Sequence, residues 1–173
     1  MKRLKKKIKK LKKKYTFIDA AVTELDDEVT KIFLSADKQE SWSRRHILVL
    51  KGIPETYGEN TNKIAIDLFC DMGINIAPEE ICRYHRNGPW RRGRHRPIYV
   101  KFVRHDVRDD VYFQRDILRC IPHCRFVFID ENLTKYRSWL FREARKEKEW
   151  FSWTYDGAIY IQRKDADPDL GCN

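Results

Sequence analysis

An unbroken four-three spacing of apolar residues over residues 4–32 constrains the fold of this chain more than any other feature. Apolar side chains recur there at alternating steps of four and three, in a segment that is otherwise strongly polar. This period is typical of a coiled coil, in which one stripe of a helix packs against a partner helix. We predict a lysine-rich coiled coil over residues 1–34 and a homo-oligomer. The predicted seam has Ile8, Tyr15, Val22 and Val29 at a positions and Leu4, Leu11, Ile18, Leu25 and Ile32 at d positions.

The sequence leaves the number and direction of the helices open. β-Branched residues at a positions favour dimers, whereas isoleucine at two d positions favours trimers or higher states. Residues 1–14 contain ten Lys or Arg and no acid, while residues 15–34 contain five acids and one lysine. A parallel bundle would gather the lysines at one end until phosphates neutralise them. An antiparallel pair would instead lay the basic half of one helix on the acidic half of the other.

The lysine-rich segment is also compatible with a nuclear-import signal, which does not exclude nucleic-acid binding. A basic amphipathic helix on an anionic membrane is a weaker interpretation, because the apolar face is narrow and lacks Trp and Phe. The sequence has no signal-peptide pattern and no apolar run of about 20 residues that could span a bilayer. Its five cysteines, an odd number without a disulfide framework, favour a reducing compartment. We therefore expect an intracellular protein, in a cytoplasmic ribonucleoprotein, in the nucleus, or in both.

Beyond a short polar linker at 35–43, the periodicities predict strand, helix, strand, strand, helix and strand. The predicted strands are 46–50, 81–85, 97–104 and 125–129, and the predicted helices are 62–72 and 108–120. Gly73 and Pro122 supply stop signals after the two helices. This order indicates an α+β protein with a ferredoxin-like βαββαβ domain, of the RNA-recognition-motif type, over residues 44–130.

A second, smaller unit is predicted over residues 131–164. A helix from Asn132 to about Lys148 precedes two short strands, 150–153 and 158–162. The Asp156-Gly157 pair between the strands is a strong signal for a tight hairpin turn. The small C-terminal domain is thus a helix followed by a hairpin, and residues 165–173 are predicted to be a loose tail.

The stretch from Ile81 to His105 carries eight Lys or Arg, three His and no acid. Such closely spaced positive charges repel one another unless an anion lies among them. Alternation along 97–103 places Tyr99 and Lys101 on the face opposite the apolar residues of that strand. An aromatic ring beside a cation on an open sheet face is a common way of binding single-stranded nucleic acid. A solvated, arginine-rich surface loop is the alternative. The contacts predicted from this stretch are Arg83, Arg91, Arg92, Arg94, Arg96, Tyr99 and Lys101.

The order of these landmarks resembles the first-open-reading-frame proteins of LINE-type retrotransposons and the related few-polyhedra proteins of baculoviruses. The matching segments, which together span roughly 120 residues in the same order, are RRHILVLKGIPE at 44–55, DLFCDMGI at 67–74, EEICRYHRNG at 79–88, RPIYVKFVR at 96–104, ENLTKYRSWLFREARK at 131–146 and WTYDGAIYIQRK at 153–164. Such proteins are coiled-coil oligomers that coat single-stranded RNA and help strands anneal and exchange.

The resemblance implies further contacts with the RNA backbone. It implies that Arg44, Arg45, Lys51, His85 and Arg86 meet the backbone, and that Arg142 and Arg145 form the other side of a groove. The first strand has no aromatic residue at the position where an RNA-recognition motif stacks a base, which leaves Tyr99 as the one stacking candidate. We therefore expect binding that is largely independent of sequence, with single-stranded RNA as the ligand and single-stranded DNA as a second one.

Other chemistry finds little support in the sequence. Cys82, His85, Cys120 and Cys124 can be written as a zinc set, but their spacing differs from the usual close Cys pairs. No nucleophile with a neighbouring base is evident, so we expect neither an enzyme nor a cofactor, metal or small-molecule substrate. The functional prediction is a ribonucleoprotein-forming nucleic-acid chaperone. The alternative is a domesticated or viral, few-polyhedra-like interaction protein whose coiled coil recruits a partner protein.

Overall fold

A computed structural model describes residues 2–164, so the predicted tail at 165–173 lies outside the described residues. The protein combines helices and sheets, which confirms the α+β class. In chain order the elements are α1 (Lys2–Arg44), β1 (Ile47–Lys51), α2 (Thr61–Asp71), β2 (Ile81–Arg86), β3 (Ile98–Phe102), α3 (His105–Phe113), β4 (Phe128–Glu131), α4 (Lys135–Ala144), β5 (Trp150–Tyr155) and β6 (Ala158–Arg163).

The predicted N-terminal helix is present, but it is longer than the heptad pattern. α1 continues through Arg44, so the prediction of a linker at 35–43 is wrong. The reason is local: residues 35–43 are polar but contain neither Gly nor Pro, and nothing in them stops a helix. Among residues 2–164, no helix is both long enough and apolar enough to cross a lipid bilayer.

The chain divides into two compact units, one ending at Glu40 and the other beginning at Ser41. In the first unit, all nine predicted seam residues are exposed, with exposed fractions between 47 % for Ile8 and 71 % for Tyr15. The second unit contains both sheets and helices α2 to α4. The division of this unit into domains at residue 131 stays a prediction.

The larger sheet has the strand order β2-β3-β1-β4, and every neighbouring pair is antiparallel. Its buried face and the inner sides of α2 and α3 supply the core. The main core side chains are Leu48, Leu50, Ala65, Leu68, Phe69, Ile98, Val100, Phe102, Val111, Tyr112 and Ile129. Because strand side chains alternate between faces, the opposite face of this sheet is free of α2 and α3.

Helix ends in this unit follow local capping chemistry. The Asn60 side chain accepts hydrogen bonds from the backbone N–H groups of Asn62 and Lys63, which starts α2. At the other end, Gly73 adopts a φ of +81° and donates to the Cys70 carbonyl, while Ile74 donates to the Phe69 carbonyl. This pair of bonds is a Schellman motif, so the predicted glycine stop is confirmed.

Three predicted boundaries shift in the structure. The helix predicted at 108–120 is α3 followed by a separate 3-10 turn, Arg115–Cys120. β4 begins at Phe128, whereas the sequence predicted a strand at 125–129, because the Val127 N–H still closes a turn onto the Cys124 carbonyl. α4 spans Lys135–Ala144 and begins where the Thr134 side chain accepts from the Arg137 N–H.

The C-terminal hairpin forms as predicted, with β5 and β6 joined by Asp156 and Gly157. Both turn residues have positive φ, 47° and 73°. A two-residue turn whose central residues both have positive φ matches the twist of the flanking strands, and Asp-Gly adopts it readily.

A buried ion pair joins this hairpin turn to the larger sheet. Arg108 on α3 is 1 % exposed, and its guanidinium binds the carboxylate of Glu131 at the end of β4. The same guanidinium binds Asp109 at 2.7 Å. The carboxylate of Glu131 also accepts the Gly157 N–H at 3.2 Å. α3, β4 and the hairpin turn therefore meet at one buried carboxylate.

Further bonds reinforce this junction. The Tyr112 hydroxyl donates to the Thr154 carbonyl at 2.8 Å, and the Arg137 guanidinium on α4 donates to the Gly157 carbonyl at 2.7 Å. His105 Nε2 lies 3.1 Å from the carboxylate of Asp156. Since these contacts join α3 and α4 to β5 and the hairpin turn, they hold the hairpin and α4 against the sheet.

Removing Arg108 while Glu131 remains should destabilise the folded protein. Arg108→Met leaves the Glu131 carboxylate buried without its cation, and we expect the free energy of unfolding to fall by about 3–5 kcal/mol in urea titrations. Adding Glu131→Gln to this variant removes the stranded charge and keeps an acceptor for Gly157, so much of the loss should be recovered. A loss below about 1 kcal/mol in the single variant would contradict the assignment.

Candidate nucleic-acid interface

The open face of the larger sheet presents a row of side chains across all four strands. His85, Tyr99, Val49 and Asp130 are successive cross-strand partners. A second row pairs Arg83 with Lys101 across β2 and β3. The alternation predicted for β3 is confirmed, because Ile98, Val100 and Phe102 are buried on the opposite face. The open face thus carries an aromatic pair and two cations near its β2 edge.

A cleft of about 500 Å³ lies between this open face and helix α4. Its floor comes from β1, β3 and β4, and one wall comes from α4. The lining residues are Val49, Lys51, Tyr99, Asp130, Glu131, Asn132, Leu133, Ser138, Phe141, Arg142, Arg145 and Thr154. Four residues predicted as nucleic-acid contacts therefore lie around one cavity: Lys51, Tyr99, Arg142 and Arg145.

Arg142 on α4 and Arg145 at its C-terminal cap are the uncompensated basic residues that line this cleft. Arg142 and Arg145 are exposed, and neither forms an ion pair with any residue in 2–164. Their spacing of three places them on the same side of the helix. Lys51 differs, since its ammonium group lies 2.6 Å from the Asp130 carboxylate. The cleft can therefore bind an anion through the α4 wall without first breaking a protein ion pair.

Tyr99 connects the cleft to a second hollow formed by the basic loop. This hollow of about 280 Å³ is lined by Tyr99 together with Arg91, Arg94, Arg96 and neighbouring loop residues. On its other side Tyr99 contacts the His85 ring, at 5.8 Å between centroids and 35° between planes. The ring that was predicted to stack a base thus lies between two groups of arginines.

The tip of the basic loop carries cations with no protein partner. Arg91, Arg92 and Arg94 are exposed, and none of them pairs with an acid within the described part of the chain. Arg91 and Arg94 face each other across a tight turn in which Gly93 has a φ of +75°. The turn therefore presents three arginines to solvent within four consecutive residues.

Two arginines predicted as contacts have a structural role instead. Arg86 is 5 % exposed, binds both carboxylate oxygens of Glu59 at 2.6 and 3.0 Å, and donates to the carbonyls of Ile53 and Pro54. Arg96 forms a bidentate ion pair with the Glu55 carboxylate. Their guanidinium groups hold the loop after β1 to the base of the basic loop. We therefore remove Arg86 from the candidate interface and regard Arg96 as a loop clamp.

The Arg44 and Arg45 side chains are also engaged within the protein. Arg44 donates to the Asn132 side chain at 3.2 Å and to the Leu133 carbonyl at 3.3 Å, which ties the end of α1 to the segment before α4. Arg45 lies over the Trp42 ring, 3.7 Å from its centroid. Arg44 thus supports a wall of the cleft, and its direct contact with nucleic acid stays a prediction.

The sequence analysis missed several cleft residues. Asp130 and Phe141 face the cavity, and so does Ser138 on α4. Asp130 was missed because the strand was predicted to end at residue 129, so its outward-facing positions were not recognised. Trp90 is 67 % exposed and lines a separate hollow with Tyr84 and His85.

One group of potential metal ligands occurs among residues 2–164. Ligand atoms of Asp71, His123 and Cys124 lie within 4.8 Å of one another. The Asp71 carboxylate is already 2.8 Å from the His123 ring. Burial and the neighbouring Asp71 carboxylate raise the pKa of the Cys124 thiol, which disfavours the thiolate that a metal requires. We assign this cluster to packing of α2 against the loop before β4. Cys82 and His85 are not part of it.

No protein-family model matches the sequence, and no curated protein matches it significantly. Neither comparison assigns a family to the chain. The resemblance to LINE-type and few-polyhedra proteins therefore stays a prediction, and the geometry of the cleft carries the functional argument.

The loop clamps should make stability depend on pH in acid. Hydrogen bonding to Arg96 lowers the pKa of Glu55 from 4.5 to about 2, and Arg86 lowers the pKa of Glu59 in the same way. The unfolded chain then takes up protons at a higher pH than the folded protein. We expect the free energy of unfolding to fall as pH drops from about 4.5 toward 2, as measured by urea titration.

Glu55→Gln and Arg96→Gln remove the same interaction from its two sides. Both variants should flatten the acid dependence of stability to a similar degree. An acid dependence equal to that of the unaltered protein in both variants would show that this clamp does not contribute to folding.

Proposed function

We propose that the protein is an oligomeric, largely sequence-independent binder of single-stranded nucleic acid, RNA above all, that acts as a nucleic-acid chaperone. The observation that carries the proposal is the cleft, where Arg142 and Arg145, which pair with no acid among residues 2–164, line the same cavity as Tyr99 and Lys51 on the sheet. Phosphate contacts by such cations give affinity without reading bases. The proposal places the protein in a retrotransposon-type ribonucleoprotein, in line with the resemblance.

A single strand suits this surface better than a duplex. Unstacked bases can lie against an aromatic side chain, and one such contact contributes about 1–3 kcal/mol. Tyr99 is the open-face aromatic of β3, and the facing position of β1 is Val49. Because the surface offers one principal stacking ring and several arginines, we expect it to bind the phosphate backbone without selecting particular bases.

The proposed architecture is a ferredoxin-like domain of the RNA-recognition-motif type. Its support is the antiparallel order β2-β3-β1-β4, with α2 and α3 contributing to one core on a single face. In that architecture the other sheet face is left open for nucleic acid. Here α4 stands beside part of this open face and turns it into a groove.

The same geometry suits chaperone activity, which requires fast exchange of strands. Contacts with the phosphate backbone form at many registers and are strongly weakened by salt. Arg91, Arg92, Arg94, Arg142 and Arg145 are all exposed. A strand held in this way can slide or dissociate without breaking base-specific bonds.

Oligomerisation through α1 would multiply these contacts. Nine apolar residues at coiled-coil spacing are exposed in the single chain, a larger apolar stripe than a solitary helix keeps in water. We propose that this stripe pairs with second or third copies of α1. Joined copies raise the local concentration of neighbouring clefts and so increase overall affinity.

The proposed interface predicts the salt dependence of binding to an unstructured RNA of about 30 nucleotides. Replacing Arg91, Arg92 and Arg94 together by Ala should weaken binding equally for different sequences. It should also flatten the plot of log affinity against log salt by about 2 units, because about three phosphate contacts are lost. Fluorescence anisotropy at several salt concentrations measures both quantities.

Lys63→Ala combined with Arg119→Ala is a control that removes two positive charges away from the proposed interface. Lys63 lies on α2 and Arg119 lies after α3, both on the side of the sheet away from the open face. This variant should keep the slope of the unaltered protein. An unchanged slope in the triple variant would remove the basic loop from the interface. Weak, salt-insensitive binding by the unaltered protein would favour the alternative, in which the coiled coil recruits a partner protein.

The proposed coiled coil predicts how substitutions in the seam of α1 change the oligomeric state. Ile18→Glu with Leu25→Glu places charges in the predicted apolar interface, so sedimentation should show monomers at concentrations where the unaltered protein is a dimer or trimer. Thr16→Glu with Thr23→Glu adds the same charge outside the seam and should keep the oligomer. Equal masses for both variants would rule out this seam.

A further inference from the structure

We propose that Asp130 is a built-in competitor for nucleic acid, which holds Lys51 away from phosphate and keeps binding in the cleft weak enough for rapid exchange. This inference rests on the proposed function and names a residue that tunes the same site. It assigns opposite roles to neighbouring side chains of the cleft floor and the cleft wall.

Asp130 lies where a bound nucleic-acid strand would pass through the cleft. Lys51 and Asp130 come from adjacent strands on the open face, and their charged atoms are 2.6 Å apart. Their side chains are 52 % and 51 % exposed, and both line the cleft opposite Arg142 and Arg145. The ion pair is therefore open to the space that the phosphate backbone would occupy.

The acid affects binding in two ways. A phosphate that binds Lys51 must compete with the Asp130 carboxylate, which already neutralises the ammonium charge at 2.6 Å. The carboxylate also repels any phosphate that enters the cleft. Arg142 and Arg145 have no such competitor within residues 2–164, so the α4 wall attracts the strand while the floor resists it.

The pair contributes little to folding, which separates this role from a structural one. Exposed ion pairs stabilise proteins only weakly, because water screens them and two flexible side chains must be ordered. Glu131, the next residue along, contrasts with Asp130. Glu131 is buried and is neutralised by Arg108, so its charge is not available to a ligand. Asp130 is thus an acidic group of the cleft whose charge faces solvent.

The test uses the full chain with Asp130→Asn. This variant removes the charge and frees Lys51, so RNA affinity should rise by about threefold to tenfold. The salt slope should steepen by about 0.7, which corresponds to one additional phosphate contact on a single strand. Strand exchange, followed with labelled oligonucleotides, should become slower because dissociation slows. The thermal unfolding midpoint should stay near that of the unaltered protein.

Asp116→Asn is the matched control. Asp116 is exposed and pairs with Arg119 at 3.6 Å in the turn after α3, away from the open face. Its replacement changes net charge by the same amount but should change neither affinity nor slope. Adding Lys51→Met to Asp130→Asn should abolish the additional slope, because the freed cation is then absent.

The outcomes separate the two proposals. Absence of RNA binding by the unaltered protein would overturn the proposed function and this inference together. Binding by the unaltered protein, with equal behaviour of Asp130→Asn and Asp116→Asn, would overturn this inference alone. Tighter binding by Asp130→Asn with an unchanged slope would overturn the competition for Lys51, since only long-range repulsion would then have been removed.

Discussion

The buried pair of Arg108 and Glu131 is the interaction on which the rest of the second unit depends. Glu131 receives the guanidinium from α3 and the Gly157 N–H from the hairpin turn, and the Gly157 carbonyl receives Arg137 from α4. The hairpin and α4 are thereby held at a defined distance from the sheet. This junction helps to fix the position of α4 beside the open face, and α4 forms one wall of the cleft. A buried ion pair joins these elements at the risk of a large loss of stability, because removing either partner leaves the other charge buried and uncompensated.

Charge compensation divides the basic residues into two groups. Arg86 and Arg96 are matched by Glu59 and Glu55, and their charges stabilise the loops at one end of the sheet. Arg91 and Arg94 of the basic loop, and Arg142 and Arg145, line two cavities that share Tyr99, and none of them pairs with an acid among residues 2–164. Arginine thus stabilises loops in one place and is a candidate phosphate-binding group in another. What distinguishes the two is the nearest carboxylate, which decides whether a phosphate would meet an unpaired cation.

The sequence predicted the order of helices and strands, the outward position of Tyr99 and Lys101, and the hairpin turn, because these follow from local periodicity and turn chemistry. It failed where contacts are distant along the chain. Arg86 meets Glu59 across 27 residues and Arg96 meets Glu55 across 41, and no local pattern reveals such pairs. The polar segment 35–43 was predicted to be a linker because it lacks apolar spacing, although nothing in it ends a helix. The seam and the nucleic-acid interface remain predictions, since they depend on molecules beyond the single chain.

The most direct test of the central claim is photo-crosslinking of the full-length protein to single-stranded RNA that carries 4-thiouridine, followed by mass spectrometry of the crosslinked peptides. Crosslinks should concentrate on peptides that contain Tyr99 and on those that contain Phe141 and its neighbouring arginines. They should decline together as salt increases, because both peptides border one cleft. Crosslinks confined to residues 2–14 would contradict this claim, since the lysine-rich helix alone would then be the site that holds RNA.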